Sequence, residues 1–138
     1  MNQMFWDVRY SMEEYVYGVK PNQFLKQTLI QEDVEGKSIL LPAEGEGRNA
    51  VFAAGLGMNI SAFDYSVRGQ EKAIELAHKK GVEIDYQVAD YNSFKLKEKF
   101  DFIGLIYSHF SPSERKINHK KAIDWLKPGG KIILEAFG

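Results

Sequence analysis

The sequence predicts an α/β fold, a three-layer α/β/α domain built on a parallel sheet of five strands. Three observations carry this. Short apolar runs at Ser38–Leu41, Asn59–Asp64, Ile84–Ala89, Phe100–Ile106 and Lys131–Glu135 have the length and residue types of strands. Longer stretches of helical periodicity lie between them, and that alternation gives βαβ units with helices on both faces of the sheet. Finally, 138 residues that are 44% apolar or aromatic and 27% charged fit one globular domain. A chain of this length buries about 68% of its unfolded surface and needs neither disulfide nor structural metal.

Each element has a local reason. Residues 1–35 form a helical preamble rich in aromatics (Phe5, Trp6, Tyr10, Tyr15, Tyr17, Phe24). Ser11 and Glu14 have capping-box spacing, and Gly18 suits a helix stop. Pro21 is expected at the first position of a second short helix with Phe24, Leu25, Thr28 and Leu29 on one face. The core occupies residues 36–138 of what reads as a single domain. Strand one is followed by a helix from Arg48 to Leu56 closed by Gly57, and strand two by a helix from about Ser66 to Lys80, with Ala73, Ile74 and Ala77 inward. Ser111, Pro112 and Glu114 open a helix expected to run to Leu126 and to carry Ile117, Ala122, Ile123 and Trp125. Lys127–Gly130 is a turn leading into strand five.

Composition removes several classes of function. There is no cysteine, so a disulfide scaffold and cysteine-based zinc or iron–sulfur sites are excluded. The three histidines lack metal-ligand spacing, with His78 and His119 set among lysines on helices, and no metal site is expected. A net charge of −1 gives no bulk electrostatic reason for nucleic acid or an anionic membrane as partner. The longest apolar run, Val51–Met58, is interrupted by Gly55 and Gly57 and is far below spanning length. Met1–Asp7 lacks the basic head and apolar stretch of a secretory signal, which makes a cytoplasmic location the expectation.

In parallel sheets ligands sit beyond the carboxyl ends of the strands. After strand one, Gly45-x-Gly47-x-x-Ala50 offers a tight turn and close approach to backbone. Strand two ends in Asp64, 19 positions after Gly45, where a carboxylate can accept from both ribose hydroxyls of a nucleoside. The alternative for Asp64 is an N-cap on the following helix. Glu44 and Glu46 would repel the pyrophosphate of a dinucleotide, and they suit the sulfonium and ammonium of S-adenosylmethionine. Strand three ends in Ala89-Asp90-Tyr91, where Asp90 can meet an adenine amino group or simply start a turn before Asn92 and Ser93. Strand four delivers Tyr107 and His109 to the same edge, His109 as base, substrate-orienting group or loop hydrogen-bonder.

The run Glu44–Ala50, the terminal Asp64, Ala89-Asp90, Phe100–Ile103 and Leu126–Lys131 resemble, in order, the motifs of the Rossmann-like S-adenosylmethionine-dependent methyltransferases. Gly47-Arg48-Asn49-Ala50 and Trp6-Asp7-x-Arg9-Tyr10 look most like the tellurite-resistance and thiopurine methyltransferase branch. The resemblance covers roughly residues 36 to 138. It implies a cofactor site made of Glu44, Gly45, Glu46, Gly47, Asn49, Asp64, Tyr65, Ser66, Ala89, Asp90, Tyr91 and Tyr107. In it Gly45 and Gly47 line the methionine part, Glu44 or Glu46 lies near the ammonium, and Tyr65 flanks the adenine. Tyr107 and His109 are the catalytic candidates, and Trp6, Arg9, Tyr15 and Tyr17 form lid and substrate wall.

Two departures stand out. The family pattern has an acidic residue two positions before the first glycine, where this chain has Ala43. Family members continue past strand five with a helix and two further strands of the usual seven, which are missing here. Strand five, with Ile132, Ile133 and Leu134, is then expected to be an edge covered by a partner chain, as in a homodimer, unless the chain is a fragment. The function expected is methyl transfer to a small molecule by in-line displacement. The alternatives are a non-catalytic cofactor-binding or dimerisation module and an NAD-dependent oxidoreductase.

Overall fold

The computed structural model describes residue 3, residues 18–106 and residues 112–135. The expected helix start at Ser11–Glu14 and the helix opening at Ser111 lie outside the described residues. Nine elements follow in order: α1 (Gln23–Gln31), β1 (Ser38–Pro42), α2 (Arg48–Gly55), β2 (Asn59–Asp64), α3 (Val67–Lys79), β3 (Asp85–Val88), β4 (Phe100–Ile106), α4 (Pro112–Asp124) and β5 (Leu126–Glu135). The strands are all parallel and stand in the order β3-β2-β1-β4-β5.

Alternation along the strands builds two apolar layers. On one face Ile39 and Leu41 of β1, Ile60 and Ala62 of β2, Phe102 of β4 and Ile133 of β5 pack with Leu25 and Leu29 of α1, Ala50 and Ala53 of α2 and Ala73 of α3. On the other, Leu40, Phe63, Ile103 and Leu105 pack with Ala122 of α4. The segment between β3 and β4 contributes Tyr91 and Phe94 to that second layer, which closes around Trp125. β1 and β4 are also fastened at their amino ends. Asp101 Oδ2 accepts from the Ser38 amide at 2.9 Å and from its hydroxyl at 3.2 Å. The bond from the Ser38 backbone holds the Asp101 carboxyl below the usual range against some desolvation, with help from Lys127.

Four expectations are corrected. Pro21 is not the first residue of α1: Asn22 caps that helix, its Oδ1 accepting from the Leu25 amide at 3.0 Å, and Pro21 precedes the cap. On α3 the inward position expected for Ile74 belongs to Lys72, whereas Ile74 is 49% exposed. On α4 Ala122 is buried, but Ile117 and Ile123 are 57% and 59% exposed. That helix ends at Asp124 and β5 already begins at Leu126. Pairing steps from Phe100 opposite Leu126 to Phe102 opposite Lys131, so Lys127–Gly130 forms an excursion within the strand rather than a turn before it. Among the described residues β5 has one strand neighbour, and Leu134 on it is 51% exposed.

Burial orders the stabilities. Leu25→Ala should cost about 2–5 kcal/mol, because the site is wholly buried under the sheet. Ile74→Gln and Ile123→Gln should stay within about 0.5 kcal/mol of the parent. Urea unfolding of the three variants measures both.

Candidate functional site

Strand addition reverses between β1 and β4, and the crevice at the carboxyl ends beside that switch is where such a sheet takes a ligand. β1 runs there into a loop with three left-handed residues, Ala43 (φ 54°), Gly45 (φ 66°) and Gly47 (φ 88°). The turn therefore starts at Ala43, two positions before Gly45, and the residue two positions before its first left-handed position is the buried Leu41.

Every residue from 44 to 47 is held by a different group. Glu44 serves α2, whose N-cap Gly47 has no side chain to offer. Its Oε2 accepts from the Ala50 amide at 2.6 Å and its Oε1 from Asn49 Nδ2 at 3.5 Å. Desolvation pushes the Glu44 carboxyl up to about 7, against the bonds from Ala50 and Asn49 and the charge of Arg48. The Gly45 amide donates to Asp64 Oδ2 at 3.0 Å, and its carbonyl accepts from the Tyr86 hydroxyl of β3. Glu46 is buried and pairs with the equally buried Lys72 of α3 at 2.6 Å. At Gly47 an added Cβ would lie 2.5 Å from Ala73 Cβ and 2.8 Å from its Cα, so α3 leaves room for nothing larger than hydrogen.

The other expected residues fall into place around this loop. Asp64 is buried, its Oδ1 accepting from the Ser66 amide at 3.1 Å. Ser66 rather than Asp64 caps α3, its hydroxyl accepting from the Gly69 amide at 3.0 Å. Tyr65 is half-buried beside them. The Ala89 amide donates to the Asp64 carbonyl at 2.9 Å and draws the end of β3 to the end of β2. Asp90 is exposed and starts a turn, with Oδ1 accepting from the amides of Asn92 and Ser93, both at 2.8 Å. Desolvation opposes its ionisation, but the bonds from Ser93 and Asn92 and the charge of Lys121 outweigh it and leave the carboxyl below its ordinary range. The Tyr91 ring turns into the core, edge-on to Phe63 at 5.1 Å and stacked on Trp125 at 5.8 Å. Asn49 is buried, and its Oδ1 accepts from the Asn22 amide at 2.7 Å. Trp6, Arg9, Tyr15, Tyr17, Tyr107 and His109 lie outside the described residues.

Sequence reasoning passed over Lys72, Tyr86 and Asn22. Lys72 was findable, since Gly69, Lys72, Ala73, Leu76 and Ala77 form the buried stripe of α3 at helical spacing and one member of it is charged. Tyr86 and Asn22 carry no such signal, because their partners are distant in sequence. The donor set suits a ligand with a cation and hydroxyls. Carboxylates converge there, and the α2 amide that would greet a phosphate is already taken by Glu44. Among the described residues no group of three His, Cys, Asp or Glu side chains can hold a metal, and no helix is long and apolar enough to cross a membrane.

A family model described as a methyltransferase domain matches residues 39–130. No curated protein matches the sequence. Among solved structures, one described under the conversion of a disulfide bond into a thioacetal group during echinomycin biosynthesis superposes with a TM-score of 0.82. The two are 19% identical, and the match covers 94% of this chain and 57% of the other. The N-methyltransferase NodS of Bradyrhizobium japonicum WM9, in complex with S-adenosyl-L-homocysteine, gives a TM-score of 0.75 at 16% identity, covering 94% of this chain and 70% of that one. A methyltransferase of Thiobacillus denitrificans, bound to the same ligand, gives 0.71 at 19% identity over 96% of this chain and 54% of its own. At these identities the likeness establishes the fold, and the chain spans 57% of the first structure's length.

Two outcomes follow from the loop. Ala43→Gly should raise stability by about 1 kcal/mol, as a side chain in the left-handed region costs roughly 1–2 kcal/mol and glycine's extra unfolded entropy offsets part of the gain. Equilibrium unfolding reads it. The Glu44 carboxyl titrates near 7 when folded, against an ordinary 4.5, so the folded chain holds this proton more tightly. Its stabilising effect is full below pH 4.5 and is lost as pH rises toward 7. Melting temperatures should fall across that window in the parent and flatten in Glu44→Gln.

Proposed function

The chain belongs to the methyltransferase-domain family, and from that premise we propose that it binds S-adenosylmethionine at the carboxyl ends of β1, β2 and β3 and methylates a small molecule. The observation that carries this reading is the carboxylate that the chain places at its own helix terminus, Glu44 Oε2 at 2.6 Å from the Ala50 amide. A dinucleotide pyrophosphate needs that position for itself. A ligand with a sulfonium and an ammonium instead gains from an anion there.

When bound, S-adenosylmethionine supplies a methyl group on a positively charged sulfur, already activated toward a nucleophile. The chain's part is to bind and align. Asp64, held at the end of β2 by the Gly45 and Ser66 amides, is the acceptor for the ribose hydroxyls. Glu44 faces the ammonium, and Gly45 and Gly47 let the ligand approach the backbone. Alignment and exclusion of water then do most of the work, and no catalytic triad is required. Tyr107, His109 and the aromatic preamble are assigned to the acceptor side by family resemblance, as is the tellurite-resistance and thiopurine branch. For assembly, the half-exposed Leu134 on the edge strand β5 supports pairing with a second copy.

Calorimetry with S-adenosylhomocysteine tests the cofactor assignment. The parent should bind, and Asp64→Ala should weaken binding about 10- to 100-fold. Asp64→Asn, which keeps an acceptor for the loop amides, should lose less. No binding by the parent at millimolar ligand would sink the reading, and an unchanged dissociation constant in Asp64→Ala would remove the ribose role.

A further inference from the structure

Lys72 is 1% exposed, deeper than any other charged side chain among the described residues, and its ammonium lies 2.6 Å from Glu46 Oε2. Taking both ions out of water carries a desolvation penalty that their attraction barely repays, and apolar pairs of equal volume commonly stabilise as well. Stability alone therefore gives little reason for the pair. Its location gives a better one.

Glu46 stands between the two left-handed glycines of the loop, and its carboxylate reaches Lys72 of α3. The next residue of α3, Ala73, is the one pressed against Gly47. Consecutive residues of one helix thus grip consecutive residues of the loop, one by a directional ionic bond and the other by close packing. Gly45 is held from the opposite side by Asp64 and Tyr86. Removing the ionic grip takes away the bond that ties Glu46 to α3, while Gly45 and Gly47 keep the contacts described for them.

We propose that Lys72 is a positioning residue of the cofactor site, which through Glu46 sets the backbone course of residues 45–47 and thereby the affinity for the S-adenosyl ligand, without touching it. This rests on the functional reading above. The same pair cancels the charge of Glu46 inside the protein, so that Glu46 is a structural acid rather than a ligand-facing one.

The test compares the parent, Lys72→Met and the double variant Lys72→Met/Glu46→Gln by thermal melting, S-adenosylhomocysteine titration and amide hydrogen exchange. Lys72→Met removes the cation that neutralises the buried Glu46 carboxylate and should lose both stability and affinity. The double variant should regain most of the melting temperature yet bind the ligand about tenfold or more weakly, with faster exchange at residues 45–47 in the ligand-free protein. If its affinity and loop exchange return to parental values together with its melting temperature, the pair is structural only and the proposal falls. Should the double variant fail to fold, Lys72→Arg decides. Weaker binding with an unchanged circular dichroism spectrum supports positioning, and parental affinity overturns it. If the parent itself does not bind, the functional reading fails, while the exchange at residues 45–47 still decides the role of Lys72.

Discussion

The backbone of residues 43–47 is the constraint on which the rest of the structure turns. Three left-handed residues in five, one of them an alanine, make a conformation that an isolated chain visits rarely. It persists because four elements converge on it: β2 through Asp64, β3 through the Tyr86 hydroxyl, α3 through Lys72 and Ala73, and α2 through the amide that Glu44 caps. The strand order brings those elements together. β1 lies between β2 and β4, and the helices that follow β1 and β2 pack side by side, so the first loop meets the second helix.

The start of α2 also meets segments distant in sequence. Asn49, one residue into α2, accepts from the amide of Asn22 at 2.7 Å. Asn22 in turn caps α1 and reaches Glu135 at the end of β5 at 3.5 Å. Buried amide side chains are held by such networks, because leaving any one group unpaired in a low dielectric is costly. The Asn49 side chain thus stands between the amide of Asn22 at the start of α1 and the carboxylate of Glu44. The preamble helix and the candidate site are joined by polar contacts although Gly45 in the middle of the loop lies 14 positions beyond Gln31 at the end of α1, with β1 between them.

What the sequence disclosed and what it hid divide along a physical line. Strands β2 and β4 were legible to the residue, since a buried parallel strand is a continuous apolar run whose ends are marked by polarity. Glycines 45 and 47 and Asp64 were legible by spacing. The burial of α4 was not. Its isoleucines at 117 and 123 are six apart, which no single helical face accommodates, and among the described side chains of α4 Ala122 is the buried one. Lys72 was passed over because a lysine is read as solvent-facing by default, although its place in the buried stripe of α3 made it findable. Ala43 was hidden because composition does not reveal a dihedral angle. Asp90 was open to two readings, and its turn with Ser93 is the one visible in the described contacts.

Charge at the loop then reduces to a simple account. Four acidic side chains crowd the strand ends, namely Glu44, Glu46, Asp64 and Asp90. Lys72 cancels Glu46, and Asp90 is spent on its own turn. Asp64 is committed to backbone amides and presents hydrogen-bond acceptors more than field. Glu44 caps α2 through the Ala50 amide, and desolvation has raised its carboxyl to about 7. A cation placed beside it favours the ionised form, so binding near neutral pH draws the proton off as the ligand arrives. A phosphate in the same place would favour the protonated acid and would lose the Ala50 amide to it as well. On the proposed reading, a carboxylate at the terminus of α2 favours a positively charged group beside it over an anionic one, while Glu46 has its charge answered by Lys72.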